Sequence, residues 1–427
     1  MTLQRTRRTF LAETVAACAL LSTLGCVSQE RDRGKPDAGG TVEVFGGSSN
    51  LDALAGYTGA LCTAKSAVAS MQLGWNLGNS LDSVSGNADA DAELAWHNPR
   101  VTGDLFKVVA AAGFGVVRIP VSWIGRFGPA PDYTISPTFI DRVEEVVTYA
   151  LDQGLYVIIN LHHDGASGMA GRWINLVDSS GLVTAANNEQ VKTQFTKIWA
   201  QIAERFKRYG DHLIFESMNE VAGPASKPVQ AYYDQVNALN QAFVDTIRSG
   251  DGNNLGRCLV VPGYNTNIND TVAGFKVPND VGPDMLILSD HYYDPWSFAG
   301  AGTTHAWGTG HPGIDTWGQE DWVASQVAKL KTSYIDHGLP VIWGEYGAVT
   351  QTGYETYRRY YMEYVTKVAH DAGIVPIVWD NNNWAGSGDD AFGFINRASN
   401  TVQYPAMVDA MVRAATSAYG LADVAKP

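Results

Sequence analysis

Eight short apolar runs punctuate the chain, and a longer stretch with helix-like spacing follows most of them. The runs are MQLGWNLG (71–78), FGVVRIPV (114–121), LYVIINLHH (155–163), HLIFESMNE (212–220), RCLVVPGY (257–264), DMLILSDHYY (284–293), LPVIWGEYG (339–347) and IVPIVWDNN (374–382). They are nearly continuous in Val, Ile and Leu instead of alternating, as parallel strands buried on both faces must be. Among the stretches between them, DRVEEVVTYALDQG, VKTQFTKIWAQIAERFKRYG and ETYRRYYMEYVTKVAHDAG close on Gly154, Gly210 and Gly373, which stop helices readily. Eight strand–helix units predict a (β/α)8 TIM barrel. A long doubly wound sheet fits the same alternation, but no Gly-rich dinucleotide fingerprint follows the first run, where GWNLGN has the wrong spacing.

Before the first run the pattern changes. TRRTFLA (6–12) places two arginines ahead of an apolar stretch that ends near Cys26 and is too short for a membrane span. It resembles a bacterial twin-arginine export signal, interrupted by Glu13. TLGC (23–26) resembles a lipoprotein cleavage box with Cys26 as the anchor, although Thr23 replaces the usual Leu. Residues 27–59 begin polar and rich in Gly and Ser and read as a linker, so one catalytic domain is expected over 60–427, exported or surface-anchored and monomeric. Cleavage after such a signal leaves Cys62 and Cys258, which an oxidising compartment allows to pair; two isolated buried thiols fit almost as well. The 427 residues carry a formal charge of −14 with no basic cluster, which disfavours a nucleic-acid partner.

Chemistry enters at the ends of the runs. Strand one ends in Asn76 and Asn79, strand two carries Arg118, and strand three ends in His162 and His163. Strand four ends in Asn219 and Glu220, six in His291 and Tyr293, seven in Glu345, and eight in Trp379 and Asp380. In a barrel all of these lie on the C-terminal rim, where active sites are built. Strands four and seven face each other across the mouth, each ending in a glutamate. Two carboxylates about 5 Å apart suit a retaining glycosidase, one protonated to serve the leaving oxygen and one ionised to attack. Arg118 and Tyr293 are placed to hold the attacking one ionised. A metal set built on His162, His163, Asp164, Asp290 and His291 is disfavoured, because neighbours on a strand point to opposite faces. No metal or cofactor is therefore expected.

Six motifs, GWNLGNSLD, VVRIPVSW, VIINLHHDG, FESMNE, HYYDPW and VIWGEYGA, stand in one order over residues 71–384. Together they resemble glycoside hydrolase family 5, the large cellulase family of clan A. LNQAFVDTIRSGDGNN, PGYNT and VWDNN bring the resemblance nearest to its subfamily 4 of endoglucanases, lichenases and xyloglucanases. The resemblance implies the same barrel, with Glu220 as acid/base and Glu345 as nucleophile. It implies Asn219 on the sugar 2-hydroxyl, Arg118 and Tyr293 orienting the nucleophile, His162 and His291 in the inner site, and Trp379 under the sugar. Val221 stands where Pro is usual after the acid/base, and Tyr346 where Phe is common after the nucleophile.

Asn76, His163 and Trp296 are also expected to contact substrate. Loops 164–187 and 294–319 are long, Gly-rich and aromatic, and long loops in a compact domain are usually functional. With Trp96, Trp123, Trp173, Trp307 and Trp384 they offer faces for a β-glucan chain. The expectation is a retaining endo-β-1,4-glucanase; xylanase, β-mannanase and an inactive carbohydrate-binding barrel are the alternatives. Glu216, two residue pairs before Glu220, is expected to be a buried structural group with Arg118 as a candidate partner.

Overall fold

The computed structural model describes residues 57–84, 90–224, 229–388 and 390–427. The export signal, Cys26 and most of the linker lie outside the described residues. Eight parallel strands close into a barrel in chain order. They are β1 (Gly74–Asn76), β2 (Val116–Ile119), β3 (Tyr156–Asn160), β4 (Leu213–Glu216), β5 (Leu259–Asn267), β6 (Leu286–Tyr292), β7 (Val341–Tyr346) and β8 (Ile374–Val378). β1 pairs with both β2 and β8, which completes the ring. The long helices expected from the sequence run over Pro137–Leu151, Ala185–Phe206 and Glu355–Asp371. The doubly wound alternative is excluded by the closed ring. Among the described residues no helix is long and apolar enough to cross a membrane.

Side chains two apart on a strand share a face, and this splits the barrel interior into layers. The lowest holds Val116, Ile158, Ile214, Val260, Ile287, Ile342 and Ile377, packed on a first helix, α1 (Ala64–Met71), through Ala64, Ala67, Val68 and Met71. Gly74 belongs to this layer because a Cβ there would come within 2.7 Å of Ile377 and Val116. Cys62 and Cys258 are joined as a disulfide and tie the segment leading into α1 to the residue before β5, so the pairing and not the free-thiol reading holds. One step up, the apolar filling gives way to Asn76, Arg118, Asn160 and Glu216, each at most 1% exposed. The outward faces, such as Val157, Ile159, Phe215 and Val261, pack under the helices.

The regular strands stop short of the apolar runs. β3 ends at Asn160 and β4 at Glu216, so His162, Asn219 and Glu220 sit in the turns beyond. Ladder-like bonds nevertheless hold those turns: His162 donates its N–H to Val121 O at 2.8 Å and Asn219 donates to Leu161 O at 2.9 Å. Register shifts occur at Asp290/His291 on β6 and Trp343/Tyr346 on β7, where the strands approach the rim and re-aim their side chains.

Candidate active site

Arg118 is the hub of the polar layer. Its Nε donates to Glu216 Oε2 at 2.7 Å, Nη1 to Asn76 Oδ1 at 3.0 Å and to Glu345 Oε1 at 2.9 Å, and Nη2 to Asn219 Oδ1 at 2.6 Å. Burial works against its charge, yet Glu216 and Glu345 outweigh it and hold the guanidinium above its ordinary pKa. A fixed cation with five donors in a rigid fork thus reaches from the buried layer to the rim.

The two rim glutamates live in different surroundings. Both oxygens of Glu345 accept hydrogen bonds, Oε1 from Arg118 and Oε2 from the Tyr293 hydroxyl at 3.0 Å. Burial and the nearby carboxylates hold the Tyr293 phenol well above its ordinary pKa, so it remains a donor. Glu220 makes one side-chain hydrogen bond, to His291 Nδ1 at 2.8 Å. Its side chain is 23% exposed against 8% for Glu345, so it is the one more open to solvent. One oxygen of each lies within 4.8 Å of the other, close to the roughly 5–5.5 Å of retaining glycosidases and short of the ~6.5–9.5 Å that inversion needs.

Burial raises the Glu345 carboxyl above its ordinary range; His291 and Arg118 oppose this and an ionised Glu220 adds to it. Burial disfavours charge on Glu220 as well, but the hydrogen bond and charge of His291, with help from Arg118, take it below its ordinary range. Burial also works against charge on His291, and Glu345 and Glu220 overcome that to raise it. The lowered Glu220 and the raised His291 describe one proton between two atoms. Placing that proton on Glu220 leaves the pair's total charge unchanged and removes from Glu345 both the repulsion of Glu220 and the attraction of His291, so Arg118 is the cation that remains to hold Glu345 ionised.

His162 stacks parallel to Trp379, with ring centres 5.7 Å apart, and its Nε2 lies 3.8 Å from Glu345 Oε1. Gly78 makes room for that indole, since a Cβ there would come within 2.6 Å of it. Trp296 packs edge-on against Tyr293 at 5.9 Å. His163 is half-buried beside Trp96 at 5.3 Å and meets the His162 ring edge-on at 4.5 Å. Asn76 departs from the expected substrate contact. It is wholly buried, its Oδ1 accepts from Arg118, and its Nδ2 faces the carbonyls of Gly344, Ile377 and Val378. A side chain two residues above the barrel floor has no line to the cleft, so Asn76 braces Arg118 and pins β7 and β8. Of the loop tryptophans, Trp123 and Trp307 are fully buried core residues, while Trp96, Trp173 and Trp384 are half-buried.

The strand argument against a shared ion does not apply to His162 and His163, because β3 ends before them. Ligand atoms of Asp82, His162 and His163 fall within 4.8 Å of one another, as do those of Glu220, His291 and Glu345. In the first set Asp82 already accepts from the amides of Asn79 and Ser80, and in the second Glu345 accepts from Arg118. Both anionic sets therefore have donors of their own. The two departures from the family pattern are accommodated away from the reacting groups. The Tyr346 hydroxyl pairs with Thr366 Oγ1 at 2.7 Å, and the Val221 N–H, which Pro would lack, donates to Asn219 O at 3.0 Å.

Asn160 was absent from the sequence-derived site. It touches both Glu216 and His162. Its signal was a polar residue inside the apolar run VIINL.

The model of the cellulase family, glycosyl hydrolase family 5, matches residues 79–385. Endoglucanase A of Paenibacillus barcinonensis is 40% identical over 372 residues, 82% of this chain and 90% of that protein. The solved family 5 xyloglucanase from Paenibacillus pabuli superposes with a TM-score of 0.75 at 40% identity, covering 82% of this chain and 99% of that one. A broad specificity endoglucanase from Bacteroides salanitronis superposes with a TM-score of 0.77 at 40% identity, covering 82% of this chain and 94% of that one. The chain belongs to glycosyl hydrolase family 5 and is a glycoside hydrolase of the cellulase type.

Proposed function

We propose that the protein is an endo-acting β-1,4-glucanase that cleaves internal bonds of cellulose, mixed-linkage β-glucan or xyloglucan and retains the anomeric configuration. One observation carries this reading: two carboxylates within 4.8 Å, one gripped by a fixed cation and a phenol, the other hydrogen-bonded to a histidine. In the first step the Glu220 proton passes to the glycosidic oxygen as a Glu345 oxygen attacks the anomeric carbon; the C–O bond breaks and a glycosyl ester forms. In the second step Glu220 takes a proton from water, the water oxygen attacks the same carbon, and Glu345 leaves as carboxylate. Asn219 Oδ1 accepts from Arg118, which leaves its Nδ2 as the donor for the sugar 2-hydroxyl. Trp379 supplies an apolar face beneath the ring, and His163 and Trp296 flank it.

The relatives named endoglucanase and xyloglucanase support a β-1,4-glucan backbone as the substrate. Export through residues 1–26, anchorage at Cys26 and a monomeric state belong to the same proposal. The test is proton NMR of fresh product from a soluble glucan: the β-anomer appears first if the reading is right, and the α-anomer first overturns it. Viscosity that falls well ahead of reducing-end release marks internal cleavage, and proportional change argues for action at chain ends.

A further inference from the structure

Asn160 closes β3 inside the barrel, and no step above uses it. Its amide has three contacts. Oδ1 accepts the backbone N–H of Val121 at 3.1 Å, while Nδ2 donates to Glu216 Oε2 at 2.8 Å and faces His162 Nδ1 at 3.2 Å. These neighbours settle which end of the amide is which. Turned over, the amide would set its NH2 against the Val121 N–H and its oxygen against the Glu216 carboxylate, donor on donor and acceptor on acceptor. With Nδ2 fixed in front of it, His162 Nδ1 has to accept, and a neutral imidazole with a bare Nδ1 carries its proton on Nε2.

We propose that Asn160 is a positioning residue that holds His162 as the neutral Nε2–H tautomer, a fixed hydrogen-bond donor directed at the nucleophile side of the site. This rests on the reading of Glu345 as nucleophile. His162 Nε2 lies 3.8 Å from Glu345 Oε1, at the edge of the ring that stacks on Trp379. A donor there favours negative charge on Glu345 before attack and as the glycosyl ester breaks; a bare nitrogen would repel it. The same contact resists a second proton, because an imidazolium would turn Nδ1–H against the Asn160 NH2. Burial, then His163, Arg118 and His291, drive the His162 pKa well below the ordinary histidine value, in the same direction. The two site histidines therefore divide the work: His291 exchanges a proton with Glu220, and His162 keeps its own.

The test reads the tautomer directly. Enzyme labelled with 15N-histidine is examined by long-range 1H–15N correlation, and His162 is assigned by its loss in His162→Gln. The wild type should show the Nε2–H form throughout roughly pH 5 to 8. In Asn160→Asp, where a carboxylate accepts from Nδ1–H, the signal should move to the Nδ1–H or doubly protonated form. kcat on a soluble glucan should then fall about 10- to 100-fold with KM little changed. In the His162→Gln background the same substitution should cost less than about threefold, since the path through the imidazole is already gone. A wild-type spectrum showing Nδ1–H or imidazolium overturns the proposal. So does a full cost of Asn160→Asp in the His162→Gln background, which would mean that Asn160 acts through Glu216 alone. Should Asn160→Asp fail to fold, the wild-type spectrum decides. The tautomer is observed without turnover, so it fails independently of the Glu345 assignment.

Discussion

Replacing Glu216 by Gln separates the structural charge in the barrel from the reacting ones. Glu216 is wholly buried, and its Oε2 accepts from Arg118 Nε at 2.7 Å and Asn160 Nδ2 at 2.8 Å. The substitution keeps an acceptor oxygen but removes the charge opposite a buried guanidinium. Breaking one side of a buried pair costs about 3–5 kcal/mol, and the retained oxygen places Gln near 3 kcal/mol. A domain of ~360 residues unfolds with an entropy of about 0.75 kcal/mol/K, so the expected fall in Tm is about 4 °C. Arg118 keeps Glu345, Asn76 and Asn219 as partners, so kcat should fall by less than about tenfold, roughly 1.4 kcal/mol of barrier. Calorimetry and initial rates at saturating soluble glucan measure the two effects. An unchanged Tm with a loss of more than about 100-fold in kcat would refute the reasoning and make Glu216 part of the chemistry.

Glu220→Ala should lower kcat on a glucan by about 10²–10⁴-fold but cost far less in the first step on an aryl glycoside whose leaving group needs no proton; equal losses on both substrates would contradict the acid role. Asp290 is buried with its Oδ1 on the Thr271 hydroxyl, and burial pushes its carboxyl up to about 8. Its folded pKa exceeds the unfolded one, so its stabilising effect is complete at low pH and is lost as pH rises from the ordinary Asp range through about 8, at up to about 1.4 kcal/mol per pH unit. Asp290→Asn, followed by thermal melts at pH 5 and 9, should flatten that decline; an unaltered pH dependence would show that Asp290 does not titrate there. The Cys62–Cys258 bond spans a sequence separation of 196 residues. Loop entropy at that length gives about 5 kcal/mol, so Cys258→Ser should lower Tm by several degrees and reductant should reproduce it; no change in either would refute the estimate.

The barrel was legible because a strand buried on both faces needs a continuous apolar run, and eight such runs stand between helical stretches. The rim glutamates were legible for a related reason: a carboxylate near the end of an apolar run needs either an opening to solvent, as Glu220 has, or a buried cation, as Glu345 has in Arg118. Depth was harder to read. Asn76 and Glu220 both end apolar runs, yet Asn76 lies inside the third residue of a short strand and Glu220 lies four residues past the end of its own. Strand length is set by neighbouring strands and by turn bonds such as Asn219 to Leu161, which no local pattern encodes. The tryptophans divide for the same reason. Trp123 donates its indole N–H to Asn160 O and packs on Phe139, a tertiary choice indistinguishable in sequence from that of Trp379. Asn160 showed only as a polar letter in VIINL, because its role depends on residues from β4 and from the turns after β2 and β3.

The most direct test of the double-displacement account is to trap its covalent intermediate. The enzyme is incubated with an activated 2-deoxy-2-fluoro cello-oligosaccharide, which forms the glycosyl ester quickly and hydrolyses it slowly, and the digested protein is mapped by mass spectrometry. The account predicts one added glycosyl group, carried by the peptide containing Glu345 and absent in Glu345→Ala. A label on Glu220, or turnover of the substrate with no covalent adduct and an α-configured product, would contradict it.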